Sequence, residues 1–286
     1  MAQQTDIRAG GASSRPTAHD TSVLDNAVWA ALDGPHALPH SLKAMGGTPT
    51  AERVGQAARY PADVYAFAAL ADPVDPAAWA DLHTLVGPGT TVRIKPVEQV
   101  PEGWEIVGGG GGTSHALKAM GEGVQLVDTA LRAEPAPEAV RLGPDDVPEI
   151  LDLVARTKPG PFLKRTIALG TYLGIRDRGQ LIALAGERSE MGVPPAEGWG
   201  RLRPPGWTEI SAVCTNPAYR GRGLATRLVR AVAAGIRERG DIPFLHAAAD
   251  NANAIRLYES IGFTLRRRSP ILLVRSPGTS HQGAVL

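Results

Sequence analysis

The sequence is poor in cysteine, in aromatic residues and in long apolar runs, and each shortage excludes a class of protein. Its 286 residues include one cysteine, Cys214, so an intrachain disulfide and a cysteine-rich zinc site are both excluded. A reducing, cytoplasmic location is therefore expected. The longest apolar runs, such as 271–274, are far shorter than the roughly 20 residues that cross a bilayer, which excludes a membrane-spanning protein.

Charge is balanced over the whole chain but not along it. The net charge is +1, yet residues 1–133 carry 9 basic and 14 acidic side chains, whereas residues 134–286 carry 21 and 15. A nucleic-acid binder would have a denser basic surface interleaved with aromatic residues, and aromatic residues are only 5% of this chain. The basic half instead favours a small phosphorylated ligand.

The order of predicted elements indicates two domains. From residue 139 to 274, predicted strands and helices are mixed in a way that is typical of an α/β or α+β domain with helices on a mixed sheet. Two prolines within 131–137 mark a linker. We predict a disordered tail, an N-terminal α/β domain, a C-terminal domain and a flexible tail, at residues 1–20, 21–133, 134–275 and 276–286.

The most informative run is Tyr-Arg-Gly-Arg-Gly-Leu-Ala-Thr, residues 219–226. It follows a predicted strand at 208–214 and opens a predicted helix at 224–239 whose apolar positions recur every four residues. The glycines let the backbone approach a ligand, while the free N–H groups and the dipole of the first helical turn favour an anion. This run therefore predicts a main-chain cradle for a pyrophosphate.

The spacing Arg-x-x-Gly-x-Ala in this run resembles the acetyl-CoA signature of the GNAT N-acetyltransferase superfamily. Two flanking segments extend the resemblance, because 209–215 stands where the fourth strand of the family lies and 251–263 is similar to its last helix and following strand. The resemblance implies a GNAT-like mixed central sheet for the C-terminal domain, acetyl-CoA as cosubstrate and no metal. It also implies that the N-terminal domain is either a degenerate GNAT-like fold, as in tandem members, or a lid that shapes the acceptor pocket.

The resemblance also implies roles for single residues. The pyrophosphate cradle would be Arg220, Gly221, Arg222, Gly223, Leu224, Ala225 and Thr226. The main chain of Val213, Cys214 and Thr215 would pair with the pantetheine arm, and the Val213 N–H would polarise the thioester carbonyl. Asn253 would contact CoA or cap the last helix, and Tyr258 would protonate the departing thiolate or serve as a buried core aromatic.

The general base and the role of the cysteine are less determined. Glu209 precedes Arg220 by the offset of a catalytic glutamate in some GNAT members, and burial is expected to raise its pKa into a useful range. Glu187 and His246 are lesser candidates, and a water relay is the alternative to any single base. Strand alternation places Cys214 on the face opposite to Glu209, which favours a core cysteine over a covalent acetyl-cysteine.

The function expected from the resemblance is transfer of an acetyl group from acetyl-CoA to an amine by direct attack in a ternary complex. The acceptor would be a small-molecule or peptide amine, selected in part by residues 161–171, with no nucleic-acid or membrane partner and a monomeric or homodimeric enzyme. The acidic N-terminal half is expected to border the cleft and attract a cationic amine. The alternative is a catalytically silent acyl-CoA-binding sensor or scaffold.

Overall fold

The computed structural model describes residues 21–34, 51–95, 97, 99–107, 122–191 and 206–278, without the side chains of 189–191. The predicted tail at 1–20 and most of the predicted tail at 276–286 lie outside these residues. The described residues form five α-helices: α1 Ala27–Asp33, α2 Pro76–Val86, α3 Val147–Thr157, α4 Leu224–Glu238 and α5 Ala252–Ser260. They also form thirteen strands: β1 Glu52–Val54, β2 Ala57–Arg59, β3 Phe67–Leu70, β4 Thr91–Ile94, β5 Glu105–Ile106, β6 Glu122–Asp128, β7 Val140–Leu142, β8 Tyr172–Asp177, β9 Gln180–Met191, β10 Trp207–Thr215, β11 Ile242–Ala248, β12 Phe263–Pro270 and β13 Leu272–Arg275.

The larger sheet has seven strands in the order β12-β6-β11-β10-β9-β8-β7. Its pairs are antiparallel except for the parallel pair β10 and β11. The apolar stripe of α4 and the buried side of α5 pack on one face of this sheet, where they share a core with β6, β9 and β11. Helix α3 packs on the other face against β8, β9 and β10. The prediction of a mixed sheet flanked by helices is therefore confirmed.

The smaller sheet has six strands in the order β1-β2-β3-β4-β13-β5, and α2 packs against it. Its parallel pair, β3 and β4, is connected through α2.

The two sheets exchange strands along the chain. Strand β6 precedes the predicted boundary at 133/134, yet it lies between β12 and β11 in the larger sheet. Strand β13 belongs to the predicted C-terminal domain, yet it lies between β4 and β5 in the smaller sheet. The predicted boundary therefore does not coincide with the division between the sheets, because composition and local pattern carry no information about pairing between distant strands.

The described helices include none that is both long enough and apolar enough to cross a membrane. Within the same residues, no group of three or more His, Cys, Asp or Glu side chains is arranged to hold a metal ion.

Candidate active site

A cleft opens where two parallel strands of the larger sheet separate. Strands β10 and β11 pair only from Trp207 to Ile210, opposite Ile242 to Leu245, and then diverge. The cleft has a volume of about 1090 Å³, and its walls include residues 211–213 of β10, residues 247–251 around the end of β11, and Tyr258 of α5. The divergence leaves the outer half of β10 without a strand partner on the β11 side.

A β-bulge lies on the cleft wall in β10. Ser211 pairs with Gly186, and Cys214 pairs with Leu184. Residues 212 and 213 of β10 therefore stand opposite residue 185 of β9 alone. Ala212, inside the bulge, has a left-handed backbone with φ of 56°. Gly186 and Leu184 are two residues apart and share a face, so Ser211 and Cys214 also share a face.

The bulge overturns the strand alternation predicted for this segment. Cys214 packs in the core beneath α3, on the same side of the sheet as Ser211, whereas Val213 packs against the core beneath α4. The prediction that Cys214 lies opposite Glu209 and Ser211 is therefore wrong, because the inserted residue reverses the facing of everything after it. Burial raises the pKa of the Cys214 thiol to about 11, so the thiol is protonated at neutral pH and packs as a core residue.

The glycine turn after β10 has the open donors that an anion needs. Gly221 and Gly223 have φ of 77° and 73°, and Gly223 stands immediately before α4. Residues 220–223 are exposed, and α4 has no side-chain cap on its N-terminus. The first backbone bond of the helix runs from the Arg227 N–H to the Gly223 carbonyl. The N–H groups of residues 221–226 donate to no described residue, which leaves them available to a ligand.

The two arginines of the turn are also available. Neither Arg220 nor Arg222 forms an ion pair with a described carboxylate; Arg222 lies over the Tyr219 ring at 4.8 Å. The Tyr219 hydroxyl donates to Asp177 at 2.8 Å, which fixes that ring beside the turn. The Arg220 Nε donates to the Thr215 carbonyl at 3.4 Å. Open main-chain donors beside two exposed guanidinium groups are chemically suited to an anion such as a phosphate.

Helix α5 presents Tyr258 to the cleft. Asn251, on the cleft wall, caps α5 by accepting a hydrogen bond from the Ala254 N–H at 3.1 Å. Asn253, proposed from sequence as the cap, instead lies exposed in the first turn and accepts from Arg256. Tyr258 is buried, its ring packs edge-on against Phe263 at 6.2 Å, and burial raises its pKa to about 12. Its hydroxyl bonds to no described residue, so it is a free donor on the cleft wall.

Glu209 lies beneath the cleft in a buried ionic network. Its carboxylate accepts from the Arg188 guanidinium at 2.8 Å and from the His246 Nδ1–H at 2.9 Å. Burial by itself would raise the pKa of Glu209, but Arg188, His246 and Lys95 together hold it well below the usual range. The expectation that burial raises this pKa is therefore wrong, because the sequence did not reveal the arginine that pairs with it.

The lesser base candidates are also engaged. Burial lowers the pKa of His246 to about 4, so its ring is neutral at pH 7. With the Nδ1 proton donated to Glu209, Nε2 accepts from the Gln125 amide at 3.2 Å. Glu187 accepts from Arg239 at 2.8 Å and is not among the described residues that line the cleft.

The smaller sheet supplies one wall of the cleft. That wall contains Tyr65, Phe67 and Lys95. It is joined to the segment predicted to select acceptors, because the Thr166 hydroxyl donates to the Val64 carbonyl at 2.6 Å. The N-terminal half borders the cleft as predicted, and it also contributes Glu122, which pairs with Arg268. Its described cleft residues are thus two aromatic side chains, one cation and one paired carboxylate, and not the predominantly acidic wall that was expected.

Comparison with known proteins then places the chain. A family model described as FR47-like protein matches residues 196–271. A solved GNAT-family structure from Novosphingobium aromaticivorans is 33% identical, covers 90% of this chain and 99% of its own, and superposes with a TM-score of 0.67. The chain belongs to the GNAT family of acetyltransferases. The N-alpha-acetyltransferase RimI of Mycobacterium tuberculosis is 35% identical over 100 residues, which are 34% of this chain and 56% of that relative.

Sequence reasoning on this GNAT protein singled out the glycine turn and missed the opposite wall of the cleft. The glycine turn, the end of β10 and Tyr258 are signalled by contiguous motifs. Arg188, Lys95, Tyr65 and Phe67 come from segments far apart in the chain and carry no motif. The signal that could have drawn attention to Lys95 is a charged residue directly after Ile94, the buried last residue of β4.

Proposed function

We propose that the protein is an acetyl-CoA-dependent N-acetyltransferase in which an amine attacks the thioester directly within a ternary complex. The observation that carries this proposal is the divergence of β10 from β11, because the unpaired half of β10 leads from the cleft to the open glycine turn. One end of β10 thus faces a phosphate site and the other a cavity large enough for an acceptor. The relative RimI, an N-alpha-acetyltransferase, supports transfer to an amine nitrogen.

On this proposal, residues 220–226 hold the pyrophosphate mainly through main-chain N–H groups. The main chain of residues 213–215 forms strand-like hydrogen bonds with the pantetheine arm, as an added strand would. The Val213 N–H polarises the thioester carbonyl, and Asn253 lies on the exposed first turn of α5 where it contacts the cosubstrate. No metal participates.

Tyr258 acts on the leaving thiolate. A phenol whose pKa is raised to about 12 remains protonated throughout the physiological range and can donate a hydrogen bond at every turnover. Complete proton transfer to a thiolate with a reference pKa near 8.5 would be uphill by roughly 3–4 pKa units. The hydrogen bond to the developing charge is therefore the larger part of its contribution.

Glu209 positions the site instead of accepting the acceptor's proton. A carboxylate with a pKa well below its usual range is too weak a base for an ammonium group. Its hydrogen bonds fix the tautomer of His246 and hold the Arg188 guanidinium against the Tyr65 ring. The contact between Arg188 and Tyr65 connects the two sheets beneath the cleft. We assign removal of the acceptor's proton to water in the cleft.

The experiment that tests this function measures CoA thiol release with acetyl-CoA and a panel of small and peptide amines. Tyr258→Phe should lower turnover by roughly 10²-fold and leave acetyl-CoA affinity nearly unchanged, because only a hydroxyl on the leaving-group path is removed. The matched control is Tyr172→Phe, since Tyr172 is equally buried and its hydroxyl also lacks a partner among the described residues, but it does not line the cleft.

Two outcomes would contradict the proposal in different ways. Tight acetyl-CoA binding with no thiol release from any amine would favour the sensor or scaffold alternative. Full turnover by Tyr258→Phe would support the acetyltransferase activity but show that Tyr258 is a packing residue without a role in the reaction.

A further inference from the structure

Lys95 is a buried cation on the cleft wall that has no anionic partner among the described residues. It directly follows β4 in the smaller sheet and is 7% exposed. Its Nζ lies 5.4 Å from the centre of the Phe67 ring, a cation–π distance. No carboxylate oxygen of the described residues lies within 4.0 Å of Nζ.

The described carboxylate whose charge acts on Lys95 is Glu209, and it is already bonded to other side chains. Glu209 binds Arg188 and His246, and the neutral imidazole adds no charge. The group formed by Lys95, Arg188, Glu209 and His246 therefore carries one uncompensated positive charge at neutral pH. Burial lowers the pKa of Lys95 to about 8; the charge of Glu209 raises this pKa and the charge of Arg188 lowers it.

A second unpaired donor lies on the same wall. Tyr65 lines the cleft, is 2% exposed, and its hydroxyl has no hydrogen-bond partner among the described residues. The guanidinium of Arg188 lies over its ring at 4.5 Å, and the Phe67 ring lies at 4.9 Å. An unpaired buried ammonium and an unpaired buried hydroxyl are both costly in the absence of a ligand that accepts from them.

We infer that the acceptor carries a carboxylate in addition to its amine, and that Lys95 binds this carboxylate. The inference rests on the proposed function and names its substrate class as an amino acid or a compound of that type. The rings of Tyr65 and Phe67 then contact its apolar part, and the wall selects acceptors by charge. The buried ammonium of Lys95 forms an ion pair only when an acceptor with a carboxylate binds, so this ion pair can distinguish such acceptors from simple amines.

The test uses matched amines that differ in the carboxylate. L-phenylalanine is compared with 2-phenylethylamine, and L-methionine with 3-(methylthio)propylamine, each in the thiol-release assay with acetyl-CoA. We expect kcat/KM to be at least 10-fold higher for the amino acid of a pair. L-phenylalaninamide separates the carboxylate from the rest of the amino acid and should behave like the simple amine.

The decisive variant is Lys95→Met, which keeps the length of the side chain and removes its charge. It should raise KM for the amino acids at least 10-fold and change KM for the simple amines little, while its Tm equals or exceeds that of the wild type. Lys95→Arg should restore part of the preference. The comparison variant is Lys158→Met, which removes an exposed lysine that lines the same cleft at the end of α3; we expect it to keep the preference, and a preference lost in Lys158→Met but kept in Lys95→Met would overturn the inference.

Failure of this inference is distinguishable from failure of the proposed function. Turnover of simple amines with no preference for carboxylates, or a preference that survives in Lys95→Met, would overturn the inference and keep the enzyme. A preference for an acyl-CoA with a second carboxylate, lost in Lys95→Met, would also overturn it. If no amine is turned over, the proposed function fails, and calorimetric binding of L-phenylalanine to wild type and Lys95→Met then decides the inference alone.

Discussion

The two sides of the cleft are built by different means. The donor side, to which we assign acetyl-CoA in our proposal, is one continuous segment from β10 through the glycine turn into α4, and it offers mostly main-chain groups. The opposite wall offers side chains: Tyr65, Phe67 and Lys95 from the side of the smaller sheet, and Arg188 from the larger sheet, which Glu209 binds from beneath. A side built from main chain can tolerate variation in its side chains, whereas a side built from side chains can change its ligand with a few substitutions.

The largest effect is expected from separating the two sides. The fragment 134–286 lacks β6, which pairs with both β11 and β12, and it retains β13 without the sheet to which β13 belongs. Two strands of the larger sheet would then expose unpaired edges, so we expect the fragment not to fold. Far-ultraviolet circular dichroism and gel filtration decide it, with a fragment starting at residue 21 as the control. A folded monomeric 134–286 fragment would show that the two sides are independent domains.

The sequence allowed prediction of the side that depends on local pattern. The helix at α4, the strand at β10 and the glycine turn all have short-range signals, and their predicted bounds lie within one or two residues of those observed. The facing of Cys214 was not predictable, because nothing in the run 209–215 announces the bulge at Ala212. The pKa of Glu209 was mispredicted for a related reason, since its sign depends on Arg188, a residue 21 positions away on a neighbouring strand.

The next effect concerns the network that joins the two sides. Glu209→Gln removes the negative charge that compensates the buried Arg188, and an uncompensated buried charge costs about 3 kcal/mol or more. Thermal unfolding should therefore show a Tm lowered by roughly 6 °C or more. The control is Glu105→Gln, which breaks an exposed pair with Arg275 and should change stability by about 1 kcal/mol at most.

The pH dependence sharpens this result. The folded state lowers the pKa of Glu209 below the value of about 4.3 that it has in the unfolded chain. The stability that the ionised carboxylate contributes is therefore fully present above about pH 4.3, and it is lost as the pH falls through the folded-state pKa. The difference in unfolding free energy between wild type and Glu209→Gln should thus narrow as the pH falls into the acid range. The comparison is made below about pH 7, because Glu209 also raises the pKa of Lys95, about 8, and its removal changes the titration of that lysine above neutral pH. A variant with wild-type stability and a turnover defect that disappears at high pH would instead make Glu209 the general base.

The smallest effect, and the one that tests the main-chain character of the donor side, is on acetyl-CoA binding. Gly223→Val places a branched side chain where the described residues leave open space beside the turn, and we expect it to weaken acetyl-CoA binding by roughly 10²-fold, about 2.7 kcal/mol. Arg222→Ala should weaken binding only several-fold, because it removes one exposed charge and none of the N–H donors. The matched control for backbone strain is Gly179→Val in the β8–β9 turn, where φ is 85° and the surrounding space is equally open. Calorimetric titration measures the acetyl-CoA affinity of all three variants. If Arg222→Ala lowered this affinity more than Gly223→Val, side chains and not the main chain would hold acetyl-CoA on this side of the cleft as well.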